Sequence, residues 1–399
     1  MKFPAVLLFA LLTQAAAAQS PTPNLPQPTL PTAPAAPMPP PPSLSARTWV
    51  LADYLTGRIL AEKGADERVE PASITKIMTS YVVSAEMKSG KIKADDQVFI
   101  SEHAWRNGGG GTDGSTSFVP LNASVPLKDL LMGMIIQSGN DAAIALAEHV
   151  AGSEATFAAL MNQYAQRLGM TGSHFMNASG LHEDNHYTTA RDIAILSRAL
   201  IRDFPQDYAA YALKEYTING ITQHNRNTLL WRDPSVDGIK TGHHKEAGYC
   251  LAASAKRGET RLISVLMGTT GEKVRADETQ ALLNYGFGFF ETHKLYVKGA
   301  KVADPTLWRG AVETAELGVA GDALVTIPRG ARERLQASMN VRKPLEAPLK
   351  KGEEVGTLVV KLDNEEVLKT PLVALQDYPE GGFFSRLSDT VWLWFDDGE

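Results

Sequence analysis

A chain of 399 residues with 44% apolar side chains is long enough to bury two cores. Its formal charge of −6 carries no basic excess, which argues against a nucleic-acid partner. Cys250 is the only cysteine, so no intrachain disulfide can form and the fold relies on burial.

In chain order, residues 1–18 carry Lys2, an apolar run over 5–12 and the small residues Ala16 and Ala18. That is the pattern of a secretory signal peptide, too short to span a bilayer, and it predicts an exported protein. Losing Lys2 with the leader takes the net charge from −6 to −7. Residues 19–45 form a proline-rich linker that ends with Pro39-Pro40-Pro41-Pro42 and cannot build a core. Folded sequence begins near Arg47, where apolar stretches at 48–52 and 58–60 flank turn residues from Asp53 to Gly57, a β-hairpin signature.

Pro71-Ala72-Ser73-Ile74-Thr75-Lys76 then opens a predicted helix that carries Ser73 and stops at Gly90. A hydroxyl and an ammonium three positions apart share one helical face, so Lys76 can reach Ser73. Serine becomes a nucleophile beside a base, and lysine serves as one when burial or a second cation lowers its pKa. Taken alone, the pair reads more simply as a helix cap and a surface cation.

The glycines from Gly108 to Gly111 are followed by Thr112-Asp113 rather than Lys-Ser/Thr, so they do not make a phosphate loop. Pro126 opens an apolar run over 130–136 that stops at Ser138-Gly139-Asn140, and a helix resumes over 141–150. Further helices are predicted over 153–168 and from Thr189 to about Leu200. Between them, His182-Glu183-Asp184-Asn185-His186 matches a zinc-protease spacing, but the pattern works only inside a helix, and Asp184 and Asn185 are poor helix-interior residues. We read the match as a loop and predict no metal or other cofactor there; a metallopeptidase is the rejected rival.

Val236-Asp237-Gly238-Ile239-Lys240-Thr241-Gly242 precedes two strand-like runs, 249–255 and 262–267, joined at Arg257-Gly258-Glu259. Lys-Thr-Gly on an edge strand offers a cation and a hydroxyl to a cleft, with glycine allowing a close backbone approach. A helix over 277–290 follows, then short strands at 324–327, 354–362 and 366–373, the last two joined at Asp363-Asn364.

Ser73, Ser138 and Lys240 thus supply, in order, the Ser-x-x-Lys, Ser-x-Asn and Lys-Thr-Gly set of serine β-lactamases and penicillin-binding proteins. From about Trp49 to the C-terminus the chain resembles the low-molecular-mass penicillin-binding proteins that act as D-alanyl-D-alanine carboxypeptidases. The resemblance also rests on Asn225-Arg226-Asn227, on His243 after Gly242, and on Arg275 with Glu278. It implies an α/β (α+β) fold: a β-lactamase/DD-peptidase-like catalytic domain, with an antiparallel sheet flanked by helices, over 46–295, and a small all-β second domain over 296–377.

What the resemblance implies for chemistry is an acyl-enzyme. Ser73 attacks the carbonyl between the last two D-alanines of a peptidoglycan stem peptide, Lys76 acts as base and Ser138 relays a proton to the leaving amine. Asn140 holds the substrate amide, Lys240 tunes the electrostatics, and Thr241 and Arg275 take the terminal carboxylate, for which a planar guanidinium suits. Backbone N–H groups of Ser73 and His243, just past Gly242, form the oxyanion hole. Arg226 is either a cleft residue or a structural ion-pair partner. β-Lactams are expected as covalent inhibitors.

Alternatives on the same fold are a β-lactamase and a DD-endopeptidase. The class A β-lactamase glutamate is missing, since no Glu-x-x-Leu-Asn occurs between Asn140 and Lys240. A silent scaffold is disfavoured by three intact motifs. In the tail, residues 380–399, Phe384, Leu387, Val391, Trp394 and Phe395 fall at helical spacing, which with the family analogy predicts an amphipathic helix on the membrane surface. The acidic end, Asp396-Asp397-Gly398-Glu399, departs from that pattern. The expected location is the periplasm, peripheral on the outer face of the inner membrane.

Overall fold

The computed structural model describes residues 38–109 and 114–382. The expected signal peptide, the linker up to Pro37 and the tail beyond Gly382 lie outside the described residues.

The predicted hairpin is β1 (Thr48–Asp53) and β2 (Ile59–Lys63). Ser73 does not lie in the helix that follows. It sits in a 3₁₀ turn, Ala72–Thr75, that runs directly into α1 (Lys76–Lys88). Next come β3 (Gln97–Phe99), α2 (Glu102–Gly108) and β4 (Ser124–Pro126), the two strands pairing antiparallel. α3 (Leu127–Met132) passes through a π turn, Gly133–Gln137, before α4 (Asn140–Ala151). α5 (Glu154–Leu168) and α6 (Ala190–Asp203) are capped by Ser153 and Thr189, whose side chains accept the N–H groups of Thr156 and Asp192. α7 (Pro205–Tyr208), the hairpin β5 (Glu215–Ile218) and β6 (Ile221–His224), and α8 (Leu229–Arg232) lead to β7 (Val236–His244). β8 (Gly248–Arg257), β9 (Thr260–Thr269) and α9 (Glu272–Phe289) follow. α9 starts earlier than Asp277, which places Arg275 in its first turn.

The main sheet has the antiparallel order β2-β1-β9-β8-β7, so β7 is an edge strand. Strand alternation divides its residues between two cores. Val50, Ala52, Cys250, Ala252, Ile263 and Val265 pack with the α1, α4 and α6 side chains, while Trp49, Leu51, Leu251, Ala253, Leu262 and Leu266 pack with α9. With helices on both faces, the strands read as continuous apolar runs.

α9 passes straight into an all-β part. β10 (Phe290–Tyr296) pairs with β13 (Ala323–Pro328), and a five-stranded sheet has the order β11-β12-β16-β15-β14. Its strands are β11 (Lys301–Ala303), β12 (Leu317–Val319), β14 (Leu335–Val341), β15 (Glu354–Leu362) and β16 (Glu365–Ala374). Asp53, at the end of β1, ties the two parts together: its carboxylate accepts from Thr56 N (2.8 Å), Thr56 Oγ1 (2.9 Å) and Thr292 Oγ1 (2.8 Å). Arg58 Nη1 adds a hydrogen bond to the Thr326 carbonyl at 2.7 Å.

Asp53 is fully buried, so Asp53→Ala strands three donors at this junction. We expect it to lower stability by about 1–3 kcal/mol, read as a shifted urea midpoint. An unchanged midpoint would show that the junction does not depend on this carboxylate.

Candidate active site

Three segments far apart in sequence meet in one cleft of about 600 Å³. The 3₁₀ turn brings Ser73, the break between the π turn and α4 brings Ser138 and Asn140, and the edge strand β7 brings Thr241, Gly242 and His243, with Arg226 and Arg275 also on the wall. The loop over 179–182 closes one side.

Lys76 lies at the base of this cleft, 1% exposed. Its Nζ is 2.9 Å from Ser73 Oγ, 2.7 Å from Asn140 Oδ1 and 2.6 Å from the Ser179 carbonyl oxygen. The Ser-x-x-Lys spacing therefore does what was expected of it, although through a 3₁₀ turn. The bland alternative is absent, since Ser73 makes no capping bond. Burial lowers the Lys76 pKa to about 7; Asp141 and Glu154 pull it up and Arg226 pushes it down. At neutral pH a large share of Lys76 is then a free amine. Such an amine has two N–H groups, matched by the Asn140 and Ser179 oxygens, and one lone pair left for the Ser73 hydroxyl.

Lys240, 3% exposed, donates to Ser138 Oγ at 2.9 Å and to the Thr241 carbonyl at 3.2 Å. Burial, with Lys76, Arg226 and Arg275 nearby, holds its pKa well below the usual lysine value. Ser138 has φ +63°, left-handed for a residue with a side chain, a strained geometry that turns the chain between two helical segments.

Arg275 is buried, donates to Glu272 Oε1 (3.2 Å) and the Gly242 carbonyl (3.4 Å), and lies 5.7 Å from the Tyr249 ring. His243 is exposed and stacks on Tyr249 at 3.9 Å. Arg226 is exposed on the cleft wall and makes no ion pair among the described residues. Asn225 and Asn227 are structural: Asn227 Nδ2 donates to the Gly238 carbonyl and Asn225 caps the turn around it. Glu278 binds the backbone N–H groups of Ser45 and Ala46, away from the cleft residues.

The close approach expected at Gly242 is made by the protein itself: a Cβ there would stand 2.9 Å from the Pro71 carbonyl and 3.2 Å from the Ile74 nitrogen of the Ser73 turn. His182 and His186 lie in a loop, as the rejection of the zinc pattern requires. His182 Nδ1 pairs with Glu70 at 2.9 Å. His186 is buried with a pKa lowered to about 4 by desolvation; its Nδ1 accepts from Met176 N and its Nε2 meets Thr75 Oγ1 at 2.9 Å, so both ring nitrogens are used.

Sequence reading missed two parts of the site. Asp141, one residue past the Ser-Gly-Asn turn, accepts from Thr116 Oγ1, Ser117 N and Val119 N, and so ties the segment after the glycine run to that turn. The Ser179 carbonyl is a backbone group, for which side-chain identity gives no signal.

The comparisons with known proteins agree with this geometry. Residues 34–271 match the family model described as D-alanyl-D-alanine carboxypeptidase, and residues 290–380 match the C-terminal domain of penicillin-binding protein 5. D-alanyl-D-alanine carboxypeptidase DacC of Escherichia coli is 46% identical over 89% of both chains. Penicillin-binding protein 5 of Haemophilus influenzae superposes with a TM-score of 0.81 at 42% identity, covering 85% of this chain and 99% of that one. Penicillin-binding protein D2 of Listeria monocytogenes, solved with ampicillin bound, superposes at 0.55 with 29% identity, covering 62% of this chain and 99% of that one.

Gly180 gives the site a direct test. Its φ is +80°, and a Cβ would fall on the Ala72 carbonyl oxygen and within 2.7 Å of Thr75 Oγ1. We expect Gly180→Ala to cost more than about 1 kcal/mol, measured by urea unfolding, because neither the backbone nor the space suits alanine. Full stability in that variant would mean that the loop and the Ser73 turn are not packed as described.

Proposed function

The chain belongs to the D-alanyl-D-alanine carboxypeptidase family, and we propose that it trims the terminal D-alanine from peptidoglycan stem peptides through an acyl-enzyme on Ser73. The observation that carries the reading is the buried Lys76 amine, 2.9 Å from Ser73 Oγ, with its other two contacts both to carbonyl-type oxygens. Lys76 takes the Ser73 proton as Oγ bonds to the carbonyl carbon of the penultimate D-alanine. The negative charge that develops on the carbonyl oxygen is met by the N–H groups of Ser73 and His243. The C–N bond then breaks, the proton reaches the leaving nitrogen through Ser138, and D-alanine departs. Water completes hydrolysis of the ester.

Asn140 has a double duty in this reading, since its Oδ1 orients Lys76 while its carboxamide N–H binds the substrate amide. In this reading Thr241 and Arg275, with Arg226 on the same wall, bind the terminal carboxylate, and Lys240 tunes the electrostatics around Ser138. A β-lactam offers the same reactive carbonyl beside a carboxylate, and so acylates Ser73 as well.

The test is D-alanine release from a soluble peptide ending in D-Ala-D-Ala. Release is expected to be blocked by penicillin and indifferent to a zinc chelator, and Ser73→Ala is expected to lose both release and covalent penicillin labelling while keeping its fold. Labelling that persists at another serine, or sensitivity to the chelator, would refute the assignment.

For location, we infer export from the leader-like residues 1–18 and peripheral attachment from the apolar face of the tail. No helix among the described residues is long and apolar enough to cross a membrane. A chain ending at Pro379 is expected to keep its activity on soluble peptide and to stop sedimenting with membranes. If it still sediments, the tail is not the anchor.

A further inference from the structure

Glu154 is a largely buried acid that the reaction described above does not use. It opens α5, and its Oε1 accepts the Ala178 N–H at 3.0 Å. The Ala178 carbonyl is held from another side by Thr79 Oγ1 of α1 at 2.6 Å. The next carbonyl along the chain belongs to Ser179, and it accepts from Lys76 Nζ at 2.6 Å, the shortest of the three Lys76 contacts. Two side chains from different helices thus clamp the backbone that sets which way the Lys76 amine points.

We propose that Glu154 is a positioning residue for Lys76: it fixes the Ala178–Ser179 backbone so that the Ser179 carbonyl takes one N–H and the amine's lone pair is left facing Ser73. This rests on the reading of Lys76 as the base. An amine turns freely about its last bond, and only the arrangement of its acceptors selects the rotamer that can accept a proton from Ser73. Asn140 supplies one acceptor as a side chain. The other is a loop carbonyl, which holds its place only as well as the loop is held.

Glu154 also acts through its charge. Burial raises its pKa, while the bond from Ala178 and the nearby His103 and Lys76 favour the anion and Glu148 opposes it. His103 of α2 lies between the two acids, 3.0 Å from Glu148 and 3.8 Å from Glu154. From the other side, Lys76 feels Asp141 of α4, Arg226 of the cleft wall, Glu154 of α5, and the amine of Lys240 on β7. His186 is also close, but neutral. Removing the Glu154 anion therefore lowers the Lys76 pKa, because an anion nearby favours the ammonium form.

The experiment measures the rate constant for penicillin acylation of Ser73 against pH in the full chain and in two variants. In the unaltered chain the rate is expected to rise with pH through about 7, as Lys76 loses its proton. Glu154→Gln keeps an oxygen that can accept from Ala178, so the high-pH rate is expected to hold while the midpoint moves to lower pH. Glu154→Ala loses both, and its high-pH rate is expected to fall about ten-fold or more. An unmoved midpoint in the glutamine variant, or an unchanged high-pH rate in the alanine variant, overturns the role of Glu154. If the alanine variant does not fold, Thr79→Val releases the other side of the clamp and is expected to show the same loss; an unchanged rate there overturns the clamp. A profile with no rise near neutrality in the unaltered chain would instead defeat the reading of Lys76 itself.

Discussion

A lysine amine held out of water is the constraint around which this cleft is built. Lys76 and Lys240 are 1% and 3% exposed, and desolvating a charge in either costs several kcal/mol unless it is paired or given up. Two buried cations within each other's field cannot both stay charged cheaply, so the site resolves part of the cost by letting a proton go. In the proposed reaction that loss is the source of the base. The carboxylate of Asp141 and, more weakly, that of Glu154 keep the shift from running further and leave Lys76 near the pH at which an exchange with serine is useful.

Holding such an amine in register requires backbone from several places, and the irregular parts of the fold lie where that is done. Ala72, immediately before Ser73, has φ +47°, and Ser138 has φ +63°. Both are left-handed residues with side chains, a geometry that persists only where surrounding packing imposes it. Here the packing is visible. The Ala72 carbonyl is covered by Gly180, the Pro71 carbonyl by Gly242, and the Ser138 hydroxyl is held by Lys240. The strain is offset by the two cores on either side of the sheet, where β1 is buried throughout and β8 and β9 are buried along their middle residues.

What could be read in the sequence follows from locality. Ser73 with Lys76, Ser138 with Asn140, and Lys240 with Thr241 are each joined within a few residues, and their chemistry is stated by side-chain type alone. The hairpin β1–β2, the capped helices α5 and α6 and the strands β8, β9, β15 and β16 were legible for the same reason, through alternation, caps and turn residues. β10, β11, β12 and β14 were not. β11 and β12 are three residues each, and the exposed middle of β14, from Gln336 to Asn340, shows no buried face to alternate against. Arg275 was read as preceding a helix because Gly271, which starts α9, makes no side-chain cap to mark the boundary. Glu154 and the Ser179 carbonyl escaped entirely, since both lie far from Lys76 along the chain, the carbonyl touching it from 103 residues away and Glu154 acting through that carbonyl's loop and its charge. Only the fold reveals those.

The same geometry explains why one cleft can hydrolyse a peptide ester and yet be trapped by penicillin. Deacylation needs a base for water, and among the described residues lining the cleft the one carboxylate is Glu272, which Arg275 already engages at 3.2 Å. Glu154 does not line the cleft, and its Oε1 holds the Ala178 N–H instead. In the proposed reaction the Lys76 amine serves as base for the second step as well, and only when the approach to the ester is open. After a peptide, the leaving D-alanine diffuses away and water takes its place. After a β-lactam, the leaving nitrogen stays tethered to the acyl group through the opened ring, remains in the position water needs, and the ester persists.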